Sequence, residues 1–213
     1  MLFRSYIVKQ PNNYLNLFQV QRRSLRIRAE EFVDGDIEPT EASRAGAINS
    51  RAMNCMTKLI RLNKNSQLKG FDEIFPATTR IVETAINLPL ICAETKEELS
   101  TVIEHLFVTF YEGAGGMNLR FITNDLVTRE EIYPIVIIKH LRNKWLQHDP
   151  QHGSKADIRK NFETLAEALE SLGFERLPES KEEHSLLHLN LLVQLEAFLD
   201  LLAERLETKG QGH

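Results

Sequence analysis

In the stretch Lys139-His140-Leu141-Arg142-Asn143-Lys144-Trp145-Leu146-Gln147-His148-Asp149-Pro150, an arginine, an amide and a histidine stand close enough to act on one anion. A guanidinium stays charged at every ordinary pH and offers paired N–H donors, so Arg142 is suited to holding and neutralising a phosphate. A histidine near its ordinary pKa gives and takes protons at neutral pH, which suits His148 to general acid–base work. Asn143 would fix the histidine or a phosphate oxygen by hydrogen bonding. No carboxylate cluster that would hold a metal accompanies them. This inventory fits cleavage of a phosphodiester without metal or cofactor. Arg142 would sit on the scissile phosphate, with His148 as base on a ribose 2′-hydroxyl or acid on the leaving oxygen. Such chemistry leaves a 2′,3′-cyclic phosphate and spares DNA, which lacks the 2′-hydroxyl.

The element that must position these groups is an apolar helix stopped by a proline. With Ile138 at the origin of a helical wheel turning roughly 100° per residue, Ile135, Leu141, Trp145 and Leu146 form the buried face. Arg142 falls within about 40° of Ile138 on the same wheel, inside that face rather than opposite it. A buried guanidinium needs a carboxylate, a phosphate or a second subunit as partner. Two readings therefore stay open, a structural ion pair and an anion holder. His148 lies about 120° round from Arg142 in an uninterrupted helix, so helical geometry alone does not align them. Asp149-Pro150 ends the helix, because the residue before a proline is pushed out of helical space, and His148 could then fold back toward Arg142. Lys139, Lys144, Lys155, Arg159 and Lys160 add cations around Arg142, and His140 and His152 add imidazoles. The patch suits RNA on a chain whose net charge is −4. A solvated helix face with charged stems is the plainer reading of the same residues.

The rest of the chain reads as helices. Pro39-Thr40 opens one running to about Asn63, with Ala45, Ile48, Ala52, Cys55, Met56, Leu59 and Leu62 on one stripe. A polar loop is expected over 63–70, and a further helix over about 72–87, with Pro76 tolerable only near its first turn. Capping boxes at Thr95…Glu98, Thr128…Glu131, Ser154…Asp157 and Ser180…Glu183 predict four more helix starts. The first of these helices should run to about Tyr111, the third should end at Gly173, and the last should span about 181–207. Its apolar face, from Leu187 through Leu206, is broad enough to be covered from two sides. The expected class is all-α, an antiparallel helical bundle of five to six helices over 34–213. Residues 1–33, with Arg22, Arg23, Arg26 and Arg28 alternating with aliphatic residues, read as an N-terminal arm or small appendage of uncertain structure.

Arg142-Asn143-Lys144-Trp145-Leu146-Gln147-His148 resembles the R-x(4–6)-H motif of the HEPN superfamily, including the asparagine commonly found just after the arginine. The segment that follows, His148-Asp149-Pro150-Gln151-His152-Gly153 and then a capped helix, is similar to the one after the motif in several bacterial members. The resemblance spans about residues 95–207, of which about twelve are specific. It implies an all-α fold, a homodimer whose two motifs face one cleft, and metal-independent endoribonuclease activity in toxin–antitoxin, CRISPR-linked or phage-defence systems. By this resemblance Arg142, Asn143 and His148 would be catalytic, with Lys139, Lys144, His152, Lys155 and Arg159 along the RNA. An antitoxin or other protein partner is a further implication. The competing implication is a catalytically inactive module for dimerisation or partner binding, in which Arg142 makes a salt bridge.

Composition sets the outer bounds. The 213 residues suffice for one domain with a real core, and 42% hydrophobic against 26% charged residues is an ordinary globular balance. Cys55 and Cys92 read as buried thiols of a reducing compartment. The N-terminus lacks the apolar run of a signal peptide, and the best membrane candidate, 186–206, is interrupted by Asn190, Gln194, Glu196, Asp200, Glu204 and Arg205. A cytoplasmic protein with no membrane contact is expected. Gly113-Ala114-Gly115-Gly116 lacks the Lys-Ser/Thr of a phosphate loop and reads as a turn. His184 and His188 lie one helical turn apart, but no glutamate follows the first histidine as a zinc protease requires, and no metal site is expected.

Overall fold

A computed structural model describes residues 41–146 and 154–209, and among them the protein is all-α, with no strand. The helices are α1 (Glu41–Leu68), α2 (Thr79–Asn87), α3 (Lys96–Leu106), a short α4 (Arg120–Thr123), α5 (Tyr133–Leu141), α6 (Lys155–Ser171) and α7 (Lys181–Lys209). Residues 1–40, and with them the expected arm, lie outside the described residues. So does 147–153, which contains His148 and His152.

Three of the four capping boxes open helices as expected. Thr95 accepts from the Glu98 amide while Glu98 takes the Thr95 amide, and Ser154 with Asp157 and Ser180 with Glu183 do the same. Thr128 and Glu131 also bond reciprocally, but the chain makes a turn before α5 starts at Tyr133, with Pro134 in its first turn. α1 runs five residues beyond its expected end at Asn63, so most of the expected polar loop is helix. Its polar residues have work inside the fold. Asn63 donates to the Phe75 carbonyl at 2.6 Å and accepts from the Phe75 amide at 2.9 Å, and buried Ser66 donates to the Asp72 carbonyl. Gly70, at φ 76°, then closes α1, with Phe71 N–H returning to the Ser66 carbonyl. In the other direction, α2 starts at Thr79 rather than near 72. Pro76 holds the preceding residue out of helical space, and Thr78 supplies the cap by accepting from the Ile81 amide. Ile74 and Phe75 are still fully buried, reached from an irregular segment.

The most extensive pairing is between α1 and α7. Contacts climb in step along both: Arg44 with Ser185, Arg51 with Glu196, Lys58 with Asp200, Lys69 with the Leu206 carbonyl. These two longest helices, far apart in sequence, run parallel. α3 and α5 run antiparallel, as do α5 and α6: Glu104 meets Arg142 and Tyr111 meets Lys139 across the first pair, while Lys144 meets Asn161 and Tyr133 meets the Glu167 carbonyl across the second. An edge-on aromatic chain fills the centre. Phe75 packs on Phe110 at 5.5 Å and Phe121 on Phe198 at 5.3 Å, tying four segments together. Along α7, Leu187, Leu191, Leu192, Leu195, Phe198, Leu199, Leu202 and Leu206 are buried and Leu186 is exposed. By length and composition α7 meets the criteria for a membrane-crossing helix, which the sequence pattern did not suggest; a packed core helix passes the same test. Cys55 is buried and Cys92 half-buried, both free thiols, and burial pushes the Cys55 thiol up to about 12.

Neither α3 nor α5 simply stops. Each widens into a π-helical turn, Phe107–Glu112 after α3 and Arg142–Leu146 after α5. The first closes with Gly113 N–H on the Val108 carbonyl at 2.8 Å. A Cβ at Gly113 would stand 2.3 Å from the Thr109 carbonyl oxygen, so the turn needs glycine there. π turns are rare and recur at functional sites. Here the two pack beside each other's helices, with Arg142 as the first residue of the second.

Candidate functional site

Arg142 lies where the helical wheel puts it, with only 20% of its side chain exposed. Beneath it Ile135, Ile138 and Leu141 are fully packed, and Trp145 anchors the end of the π turn. Its guanidinium carbon sits 4.0 Å from the centroid of the Phe107 ring, a cation–π contact. Glu104, one turn earlier on α3, grips one edge of the guanidinium. Nε donates to Oε2 at 2.6 Å and Nη2 to Oε1 at 3.2 Å. Asn143 Oδ1 accepts from Nη1 at 3.3 Å. Asn143 is thus beside Arg142, and the arginine has a carboxylate partner, one of the two arrangements that the sequence left open.

Phe107 stacks on Tyr111 at 4.9 Å, and Lys139 places its ammonium 4.9 Å from the Tyr111 centroid. Two cations one turn apart, Lys139 in α5 and Arg142 just after it, therefore cover two stacked rings of the facing π turn. Lys144, by contrast, donates to Asn161 Oδ1 on α6 at 2.6 Å. Arg159 is turned outward on α6 and paired with Glu163 at 2.7 Å, so it does not join Arg142. Lys155 is exposed in the first turn of α6, directly after the 147–153 segment. His140 is half-buried, and burial, with Lys139 and Lys144 nearby, holds its pKa below the ordinary value, favouring the neutral ring. Where His148 and His152 stand relative to this cluster falls outside the described residues.

Glu104, Phe107 and Tyr111 are site residues that sequence reasoning missed. One signal was available: between Glu98 and Glu112, Glu104 is the sole carboxylate, the counterpart of Arg142 at the end of α5. Its carboxylate is 43% exposed and borders a shallow depression shared with Ser100, Thr101 and His105.

The His184/His188 pair does not form a metal grip. His184 Nδ1 bonds the Ser180 carbonyl at 2.7 Å, and His188 Nδ1 accepts from the Ala93 amide. With Nδ1 accepting, the His188 proton sits on Nε2, which leaves no lone pair there for a metal. Among the described residues no set of three or more His, Cys, Asp or Glu side chains could hold a metal ion. Burial alone pushes the His188 pKa down to about 4.

Chemically, the cluster offers a fixed cation on an aromatic platform, next to the segment that carries His148. No protein-family model, curated protein or solved structure matches this chain.

Proposed function

We infer that this chain is a metal-independent endoribonuclease of the HEPN type. In this reading it cleaves RNA by 2′-hydroxyl attack and leaves a 2′,3′-cyclic phosphate. The observation that carries the reading is the placement of Arg142: a guanidinium set into the buried face at the end of α5, oriented by Phe107 and Glu104, six residues before His148. Arg142 would neutralise the developing charge on the scissile phosphate, Asn143 would orient it, and His148 would move the proton. Lys139, Lys144, Lys155 and His152 would line the RNA path. The proposed assembly is a homodimer with its two motifs across one cleft, in a cytoplasmic toxin or defence role, with an antitoxin or other protein as its regulator.

The test compares wild type, Arg142→Ala and His148→Ala on bulk RNA in EDTA, reading the product ends. Cleavage by wild type alone, with cyclic phosphate ends, supports the mechanism. Cleavage lost in EDTA, or kept in both variants, overturns it.

A second reading has its own observation. Glu104 already neutralises Arg142, as a purely structural salt bridge would. The domain would then be an inactive helical module serving dimerisation or partner binding. Wild type that cleaves no RNA but forms a stable dimer would support this reading.

A further inference from the structure

The bidentate pair between Glu104 and Arg142 can be taken atom by atom. A guanidinium has five N–H donors in one plane. Nε–H and one Nη2–H lie along one edge of that plane, and this is the edge Glu104 occupies. Asn143 accepts one further hydrogen, from Nη1. Among the described residues, one N–H of Nη1 and one of Nη2 are left without a partner, and both nitrogens border the Nη1/Nη2 fork. That fork can take two oxygens of a second anion while the carboxylate stays in place. The two anions then sit on different edges of one cation. Phe107 limits tilting of the guanidinium, with its centroid 4.0 Å from Cζ, and Glu104 limits its rotation in the plane. The carboxylate is reached from solvent and sits on a regular helical turn, so it can be altered without opening the core.

We propose that Glu104 is a positioning residue for Arg142, fixing its Nε–Nη2 edge so that the Nη1/Nη2 fork is presented to an RNA phosphate. This rests on the nuclease reading above. It differs from a salt bridge that silences the arginine, because a silencing carboxylate must leave before phosphate binds. The two cases predict opposite effects of removing the charge. A positioning carboxylate acts in the transition state, so its loss lowers kcat and kcat/KM together with KM unchanged. A competing carboxylate acts in the ground state, so its loss tightens RNA binding.

The experiment has two arms on the full chain. In the first, wild type, Glu104→Gln and Glu104→Asp cleave a defined RNA in EDTA, with thermal melts as a check on folding. The expected result is that Glu104→Gln melts with wild type and loses kcat by about ten-fold or more. Glu104→Asp should recover part of that loss, because it keeps the charge on a shorter arm. In the second arm, the Arg142 side-chain N–H signals of wild type are followed by NMR as an all-deoxy, uncleavable oligonucleotide is added. The Nη signals should shift while Nε–H keeps its hydrogen-bonded position. Glu104→Gln cleaving as fast as wild type or faster overturns the proposal, as does an Nε–H signal that moves when the oligonucleotide displaces the carboxylate. An oligonucleotide that moves no Arg142 signal overturns it as well. Wild type that cleaves nothing, yet shows shifted Nη signals with Nε–H held, sinks the nuclease reading alone and leaves Glu104 as the positioner of an anion site.

Discussion

Glu196 and Glu104 each reach across to a cation on a neighbouring helix, yet the two regions use that chemistry differently. On α7, Glu196 is 13% exposed and takes Arg51 at 2.7 Å, Lys58 at 3.1 Å and the Asn54 amide at 3.2 Å, all from α1. One carboxylate gathers three donors, and the helices that it joins run as unbroken α-helix for 28 and 29 residues. On α3, Glu104 takes Arg142, and among the described residues that cation retains N–H donors beyond those its partners use. The helices on this side both widen into π turns. A carboxylate shared among several donors holds a scaffold together. A cation with donors to spare, on widened helix ends, is what a binding site requires.

Arg142→Ala should lower RNA cleavage by about 10²–10³-fold, the usual effect of removing one preorganised charge-stabilising donor. Arg51→Ala, on the scaffold side, should leave the cleavage rate unchanged. Equal losses in both, measured on one RNA in EDTA, would erase the distinction.

The next effect belongs to α7 and is read through pH. His188 is buried with its pKa down at about 4, against an ordinary 6.5. The unfolded chain takes up the proton as pH falls through 6.5, while the folded chain resists it until about 4. Stability is therefore complete above 6.5 and declines between those values, by about 3 kcal/mol in all. Urea midpoints of wild type should fall over this window, and those of His188→Leu should not show that step. The capping carboxylates Glu98, Asp157 and Glu183, whose pKa values are lowered chiefly by hydrogen bonds in their caps, lose their contribution only below the ordinary carboxylate range. That decline lies on the acid side of the His188 window.

The smallest effect is Glu196→Ala, at about 1–2 kcal/mol, since Arg51 and Lys58 are near enough to water to be resolvated once their partner is gone. A denaturation midpoint that does not move would show the scaffold pair to be no more than a surface contact.

Much of the scaffold was legible in the sequence, because its signals are local. A hydroxyl and a carboxylate three residues apart satisfy each other's amides wherever they stand, so Thr95, Ser154 and Ser180 announced their helices. Asn63 and Ser66 misled in the opposite sense: their polarity suggested a loop, but their partners are Phe75 and Asp72 in a segment still to come. At the site, the burial of Arg142 followed from the apolar spacing of Ile135, Ile138 and Leu141. Its partner did not, because Glu104 lies 38 residues earlier and only packing of α3 on α5 brings them together. The π turns were invisible for a related reason. Apolar spacing is read at a fixed angle per residue, and a wider turn changes that angle without changing composition.

The wider turns have a consequence for how relatives of this chain are to be compared. A π turn holds about one residue more than an α turn, so everything after it is carried round the helix by roughly 100°. Phe107–Glu112 and Arg142–Leu146 therefore behave as one-residue insertions absorbed without a loop. A relative lacking the extra residue in the first would match this chain through Leu106 and then set a different side chain against Lys139 in place of Tyr111. Length within these two segments is thus as diagnostic of the site as the identity of Arg142. A comparison that closes such a gap would align the letters while misplacing the rings.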